Sequence, residues 1–287
     1  MVDHGHVIRR RELSGVEWEF VRPLLPRPER GWKRLDDRTV LNGIVWKFRT
    51  GAAWRDVPER YGSWAALHTR FRRWARDGTF QRMFQEAQAR ADAANEVDWL
   101  VSVDSTVVRA HQHAPGAREG GTRNPALCRS RGGLASKTHL ACDGAGRPLA
   151  FVLTGGNTND CTQLTAVMET MRVPRIGPGR PRTRPVHVLG DKGYSSRAIR
   201  TWPRCRGIAH TIPERADQVR NRARLGTCGG RPPAFDRETY KRRNAVERCF
   251  NQLKQGQGIA TRYDKTAESN QATVTLASLL MWVGCSP

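Results

Sequence analysis

The chain of 287 residues contains seven cysteines, at 128, 142, 161, 205, 228, 249 and 285, but no C-x2-C pair and no partnered histidine spacing. Neither a zinc site nor a disulfide framework is readable from that pattern, and reduced cytosolic thiols are the expectation. Long apolar runs are also missing. The longest, Ala272 to Val283, spans about 12 residues and includes Thr273, Thr275 and Ser278, too short to cross a bilayer. It reads as a core helix. Met1 to Arg11 carries charge with no apolar stretch behind it, so no signal peptide is expected. Acidic residues are scarce, 27 against 49 Lys and Arg, which leaves a formal charge of +22 and a pI near 11.0. Such a balance points to a polyanionic partner, nucleic acid or an anionic membrane surface.

The excess charge is concentrated. Residues 172–254 hold 21 Lys or Arg and only 6 Asp or Glu, and two of the acids there, Asp191 and Glu247, stand out together with Asp104 further upstream. Three carboxylates from distant segments can hold two divalent metals. Glu247 belongs to a Y-x2-R-x3-E-x6-K pattern made by Tyr240, Arg243, Glu247 and Lys254. On a continuous helix, at roughly 100° per residue, these four fall within an arc of about 60°. A metal-binding carboxylate would then be flanked by phosphate-binding groups, while Val246, Phe250 and Leu253 on the adjoining stripe anchor the helix in a core. An ordinary amphipathic helix with an Arg243–Glu247 i,i+4 pair accounts for the same residues.

Two domains are expected along the chain, 1–95 and 96–287. The first is helical: Trp18, Val21 and Leu25, then Val40, Leu41, Ile44, Val45 and Phe48, recur at three- and four-residue spacings. Ser63 reads as the N-cap of a third helix through Trp64, Leu67, Phe71 and Trp74, with Arg70, Arg72, Arg73 and Arg76 along it. A helix-turn-helix would place Ser63 to Arg76 in a DNA major groove. A plain helical bundle with a solvated arginine face is the alternative. After Asn95 the period becomes that of strands. Leu100, Ser102, Asp104 and Thr106 alternate with Val101, Val103 and Val107; Leu134 to Cys142 and Pro148 to Thr154 follow, joined by the hairpin signal Asp143-Gly144-Ala145-Gly146.

A helix over Asn159 to Met171 comes next, with Asp160 as its cap, then a strand at Val186 to Leu189 ending at Gly190-Asp191, a helix at Ser195 to Arg204 and a strand at Ile208 to Ile212. Residues 213–239 read as an extended basic loop insertion. The order predicts an α/β fold with a mixed sheet and flanking helices. If the Val186 strand pairs beside the Leu100 strand, Asp191 comes next to Asp104 and the Tyr240 helix brings Glu247 across both.

Val103-Asp104-Ser105-Thr106, Leu189-Gly190-Asp191-Lys192-Gly193-Tyr194 and the Tyr240 to Lys254 signature resemble the three catalytic boxes of DDE transposases of the insertion-sequence-5 family, within the wider insertion-sequence-4 group. Arg129 to Leu134, Gly230 to Phe235, Ile259 to Lys265 and the tryptophan-rich N-terminal region share the likeness, so it covers nearly the whole chain. Gly256-Gln257 depart from it, where an aromatic and an arginine are usual, as does Asn270, where an aromatic is common. The resemblance implies a ribonuclease H-like sheet behind a helix-turn-helix-like N-terminal domain. It implies Asp104, Asp191 and Glu247 as catalytic ligands of two Mg²⁺ ions, for which Mn²⁺ can substitute. Tyr240, Arg243 and Lys254 would hold phosphates of the transposon end, with Arg109, Lys192 and the histidines His111 and His113 nearby in sequence; a structural role is expected for the histidines. Its partners would be double-stranded DNA, both terminal inverted repeats and target, bound by a homodimer without any membrane association. Its place would be the bacterial cytoplasm, at the nucleoid.

Overall fold

In the computed structural model the described residues are 11–26, 35–112, 114, 126–130 and 133–284; His113 falls outside them. The N-terminal part is helical, as its periodicity requires. Helix α1 (Gly15–Val21) begins with a capping box in which the Ser14 hydroxyl accepts from the Glu17 amide and Glu17 reaches back to the Ser14 amide. Helix α2 (Asp37–Thr50) is capped by Asp36 and stops at Gly51, whose φ of 71° is a left-handed conformation that favours glycine. Ser63 caps α3 (Trp64–Arg76) by accepting from the Ala66 amide, and α4 (Thr79–Ala93) follows after two residues. Trp18, Ile44, Phe48, Leu67, Phe71, Trp74, Phe80, Met83 and Phe84 form the core between them.

The second part is built on strand β1 (Leu100–Ala110). It pairs antiparallel with β3 (Gly133–Cys142), with Asp104 opposite Leu140. Beyond β3 lies antiparallel β4 (Pro148–Gly155), reached through the Asp143–Gly146 turn, in which Gly146 takes a φ of 90°. On its other side β1 runs parallel to β5 (His187–Gly190), which runs parallel to β6 (Ala209–Thr211). The order β4-β3-β1-β5-β6, three antiparallel strands followed by two parallel ones, is the ribonuclease H-like arrangement. Short β2 (Cys128–Ser130) extends the sheet beside β3, and β7 (Thr261–Arg262) beside the end of β1.

Alternation along β1 and β3 sends side chains into two cores. One holds Val101, Val103 and Ala141 against α5 (Leu164–Thr170) and α6 (Arg197–Cys205). The other holds Leu140, Cys142 and Phe151 against α9 (Asn244–Lys254), through Val246, Phe250 and Leu253. Between them in the chain lie α7 (Ala216–Arg224) and α8 (Arg237–Lys241), and after α9 come the short α10 (Gln257–Ala260) and α11 (Ala267–Trp282). Helix α11 belongs to both parts. Val274 packs in the sheet core, whereas Ala272, Leu276 and Leu279 complete the N-terminal core.

Three expectations are corrected. The 213–239 segment is not all loop but contains α7, none of whose residues is buried. Asn159, not Asp160, provides the cap after β4: its side chain accepts from the Cys161 amide, and the α-helix proper starts only at Leu164. The Tyr240 to Lys254 signature does not lie on one helix, because the chain turns at Arg242-Arg243 between α8 and α9. As the Ser63 cap implies, α2 and α3 are joined by the Gly51 to Ser63 segment, which contains two 3-10 turns, while α3 and α4 are closely connected.

His139 on β3 gives a measurable consequence of the sheet's polar interior. Its ring is 1% exposed, bonded through Nε2 to Thr154 Oγ1 at 2.8 Å. Burial lowers its pKa to about 4, with nearby Asp160 opposing and Lys137 assisting. The unfolded chain therefore takes up a proton near pH 6.5 that the folded chain refuses until about pH 4. Stability contributed by the neutral ring is present above that window and falls as pH drops from 6.5 to 4, by on the order of 3 kcal/mol. Urea unfolding at pH 7 and pH 4 should show this loss in the natural chain and a smaller one in His139→Gln.

Candidate active site

Asp104 is in mid-strand on β1, on the face turned toward α9. Its Oδ1 accepts from the Ser105 amide at 2.8 Å. Asp191 follows directly on β5 and caps the 3-10 turn Lys192–Tyr194, its Oδ1 accepting from the Gly193 amide at 2.8 Å. Because Val103 pairs with Gly190, the two aspartates leave neighbouring strands side by side. Asp191 has a raised pKa, first because it is half buried and second because Asp104 lies close enough to repel its charge. Burial also pushes the Tyr194 hydroxyl up, and Asp104, Asp160 and Asp191 all add to that shift. The end of the β1–β5 pair is thus a place of concentrated negative charge.

Arg243 joins this pair to Glu247. Its Nη1 donates to Asp104 Oδ2 at 2.8 Å and its Nη2 to Glu247 Oε1 at 2.7 Å. Lys254, one helical stretch further along α9, donates from Nζ to Thr106 Oγ1 at 2.6 Å, two residues beyond Asp104 on the same face of β1. Tyr240 is on α8, half buried, its ring 5.2 Å from that of Phe235 and its carbonyl accepting from the Arg243 amide at 3.0 Å. The turn that separates it from Arg243 lets Arg242 pair with Asp98. Lys192, just after β5, and Arg109, near the end of β1, are both exposed. His111 stacks near Tyr263 with ring centroids 5.1 Å apart, in keeping with a structural role.

Hard oxygen donors crowded enough to repel one another suit a divalent cation. The three carboxylates are nevertheless not gathered. Among the described residues no three of His, Cys, Asp and Glu stand together closely enough to hold a metal ion, and the positive charge between Asp104 and Glu247 is the Arg243 guanidinium. Asp160, expected as a helix cap, instead faces β1. Its carboxylate accepts from Ser105 Oγ at 2.6 Å and from Lys137 Nζ at 3.1 Å, so it braces β1 from the face opposite α9. Adjacent Asn159 and Asp160 are equally competent caps, which hides this contact in the sequence. The six described cysteines are free.

On α3 the exposed side chains are Trp64, Ala65, Ala66, Thr69, Arg73 and Arg76. A surface groove of about 710 Å³ is lined by His68, Thr69, Arg72, Arg73, Arg76 and Asp77. Arg70 is differently engaged, pairing with Asp37 of α2 at 2.6 Å with 13% of its side chain exposed. Arg76 lies 3.6 Å from Glu268.

Two family models match the chain. Residues 13–84 match one described as a putative transposase of the IS4/5 family, and residues 95–283 match the transposase DDE domain. The chain belongs to the DDE transposase family. It is an enzyme of the DDE transposase type, within the IS4/IS5 group. An uncharacterized protein, y4sN, of Sinorhizobium fredii (strain NBRC 101917 / NGR234) is 39% identical over 108 residues, 37% of this chain and 82% of that one. The putative transposase for insertion sequence element IS402 of Burkholderia cepacia is 33% identical over 146 residues, 51% of this chain and 62% of that protein. That for IS6501 of Brucella ovis (strain ATCC 25840 / 63/290 / NCTC 10512) is 28% identical over 150 residues, 52% of this chain and 99% of the other. Among solved structures, the Mos1 strand transfer complex overlaps 90% of this chain and 78% of its own at 14% identity, with a TM-score of only 0.27. DDE transposases use divalent metal ions. No helix among the described residues is long and apolar enough to cross a membrane.

Proposed function

We propose that this transposase binds the terminal inverted repeats of its own element, cleaves the ends by hydrolysis and joins the freed 3′-ends to target DNA by transesterification. Asp104, Asp191 and Glu247 are the proposed ligands of two Mg²⁺ ions, with Mn²⁺ an acceptable substitute. When bound, the metals lower the pKa of the attacking water or 3′-hydroxyl and stabilise the leaving oxygen. The observation that carries this reading is Asp104, in mid-strand on β1, beside Asp191, just past the end of parallel β5, close enough to raise the Asp191 pKa, with Arg243 at the start of α9 bonded to Asp104.

The protein's own groups position and neutralise. Asp104 is fixed by the mid-sheet location of β1, and Asp191 by its bond to the Gly193 amide. Arg243, just before α9, and Lys254, at its end, project toward the β1 face that carries Asp104 and Thr106. A guanidinium fork and an ammonium so placed suit two non-bridging oxygens of a DNA backbone. Tyr240 on α8, Lys192 and Arg109 would extend the phosphate track. Two copies of the chain, each engaging one end, are proposed to act as a homodimer, and the bacterial cytoplasm at the nucleoid is the setting such a substrate requires.

For end recognition the proposed unit is the helical module with α3 in the major groove. Small Ala65, Ala66 and Thr69 allow close approach, and Arg72, Arg73 and Arg76 supply phosphate or base contacts. Arg73→Ala should weaken binding to end DNA by about 1–3 kcal/mol and lessen its salt dependence. Arg70→Ala should instead lower the melting temperature, because Arg70 ties α3 to α2. Titration against end and random DNA at two salt concentrations, beside a melting curve, separates the two effects.

The whole reading is tested by supplying end-bearing DNA, Mg²⁺ and a target plasmid. Joined product is expected. Cleavage without joining would reduce the protein to a nuclease, and binding without cleavage would make it a repurposed DNA-binding protein.

A further inference from the structure

We propose that Arg243 is an exchangeable counter-cation: in the DNA-free protein it holds Asp104 and Glu247 to itself, and end DNA, by drawing it onto a phosphate, frees both carboxylates for metal. This rests on the assignment of Asp104, Asp191 and Glu247 as metal ligands and adds a coupling between the two binding events.

Three observations support it. First, the guanidinium is divided between the carboxylates, Nη1 on Asp104 at 2.8 Å and Nη2 on Glu247 at 2.7 Å. A guanidinium cannot lose its proton in a protein, so a divalent ion can reach these oxygens only by displacing it. Second, among the described residues no three acidic, His or Cys side chains are gathered as a metal site, although Asp104 and Asp191 are already neighbours. Glu247 is linked to Asp104 through that same arginine. Third, Arg243 precedes α9 at the turn after α8, and Glu247 is 54% exposed, so the Glu247 end of the bridge opens to solvent.

A phosphate offers the same two-oxygen geometry as a carboxylate. Transfer of the guanidinium from carboxylate to phosphate therefore exchanges like for like, and leaves two anions facing each other beside Asp191. Those anions are then stabilised by a divalent cation. Coupling of this kind is reciprocal: whatever factor DNA adds to metal affinity, metal adds to DNA affinity. The protein would in this way remain poorly loaded until an end is in place, which restrains indiscriminate hydrolysis.

The test is Mn²⁺ binding to the full chain without DNA, followed by the electron paramagnetic resonance of the free ion. Arg243→Gln should bind Mn²⁺ more tightly than the natural chain, by about tenfold within the usual range of coupling, and Arg243→Lys, which keeps the charge, should stay near the natural value. End DNA should then tighten Mn²⁺ binding by the natural chain more than by Arg243→Gln. Equal or weaker Mn²⁺ binding by Arg243→Gln overturns the inference, because Arg243 would then be a bystander or a support for the carboxylates. Should Arg243→Gln fail to fold, the same comparison is made with Arg243→Met, which keeps much of the length of the side chain without its charge. Adding Asp104→Asn distinguishes the two levels. Mn²⁺ binding that survives in Asp104→Asn removes the metal assignment itself, whereas binding that needs Asp104 but ignores Arg243 removes only the exchange.

Discussion

Asp104→Asn, Asp191→Asn and Glu247→Gln are each expected to lower strand cleavage by on the order of 10³-fold or more, while affinity for end DNA, measured without divalent metal, is no weaker than that of the natural chain. The size follows from losing a metal ligand whose charge stabilisation amounts to several kcal/mol, each 1.36 kcal/mol being a factor of ten in rate. Binding is spared because the proposed DNA contacts are cationic and lie on α3, α9 and the strand ends. Asp191→Asn has a second expected signature. Its carboxylate is held with a raised pKa by burial and by Asp104, so removing its charge relieves repulsion, and the melting temperature should stay level or rise. A variant that loses cleavage while gaining stability cannot be explained by unfolding. Glu86→Gln, on the exposed side of α4 where Glu86 pairs with Arg90 at 2.8 Å, serves as the control and should cleave normally. Substantial cleavage by any of the three acidic variants would remove that residue from the site.

Much of this arrangement could be read in the chain before folding, and the reason is period. Alternation along Leu100 to Val107 places Asp104 on a defined face of a strand, and a short apolar strand ending at Gly190-Asp191 brings Asp191 next to it if the two strands pair, as they do in parallel. The break in the Tyr240 signature could not be read. Lys241-Arg242-Arg243-Asn244 contains neither Gly nor Pro, and helical arithmetic assumes continuity across it. The turn is stabilised by distant partners instead: Arg242 meets Asp98, and Arg243 meets Asp104, 139 residues away. Asp160 was hidden for a related reason, since its partners Ser105 and Lys137 are brought to it by sheet register rather than by neighbouring sequence. Local rules describe elements well. They describe poorly any side chain whose partner lies across the fold.

The strongest instance is α11, and it leads to a prediction opposite to the one that a boundary at residue 95 suggests. A fragment of residues 11–95 should fail to fold cooperatively. Ala272, Leu276 and Leu279 close the N-terminal core beside Phe71, Trp74, Phe80 and Met83, and Trp282 donates from Nε1 to the Pro148 carbonyl at 2.6 Å, fastening the same helix to β4. Burial of Leu276 and Leu279 alone is a contribution of about 2–5 kcal/mol each by the cost of truncating such residues to alanine, comparable with the whole stability of a typical domain, about 5–15 kcal/mol. The sequence of α11 gives little warning, since it is apolar around most of its circumference and therefore does not point to one partner. Calorimetry of the 11–95 fragment should show no cooperative transition, and the same fragment joined by a flexible linker to residues 264–284 should recover one. A sharp transition in the isolated fragment would show that α11 is an accessory to this core. If the expected result is found, end recognition by α3 and catalysis at β1 share a helix that neither can release, and α11 is the rigid connection between them.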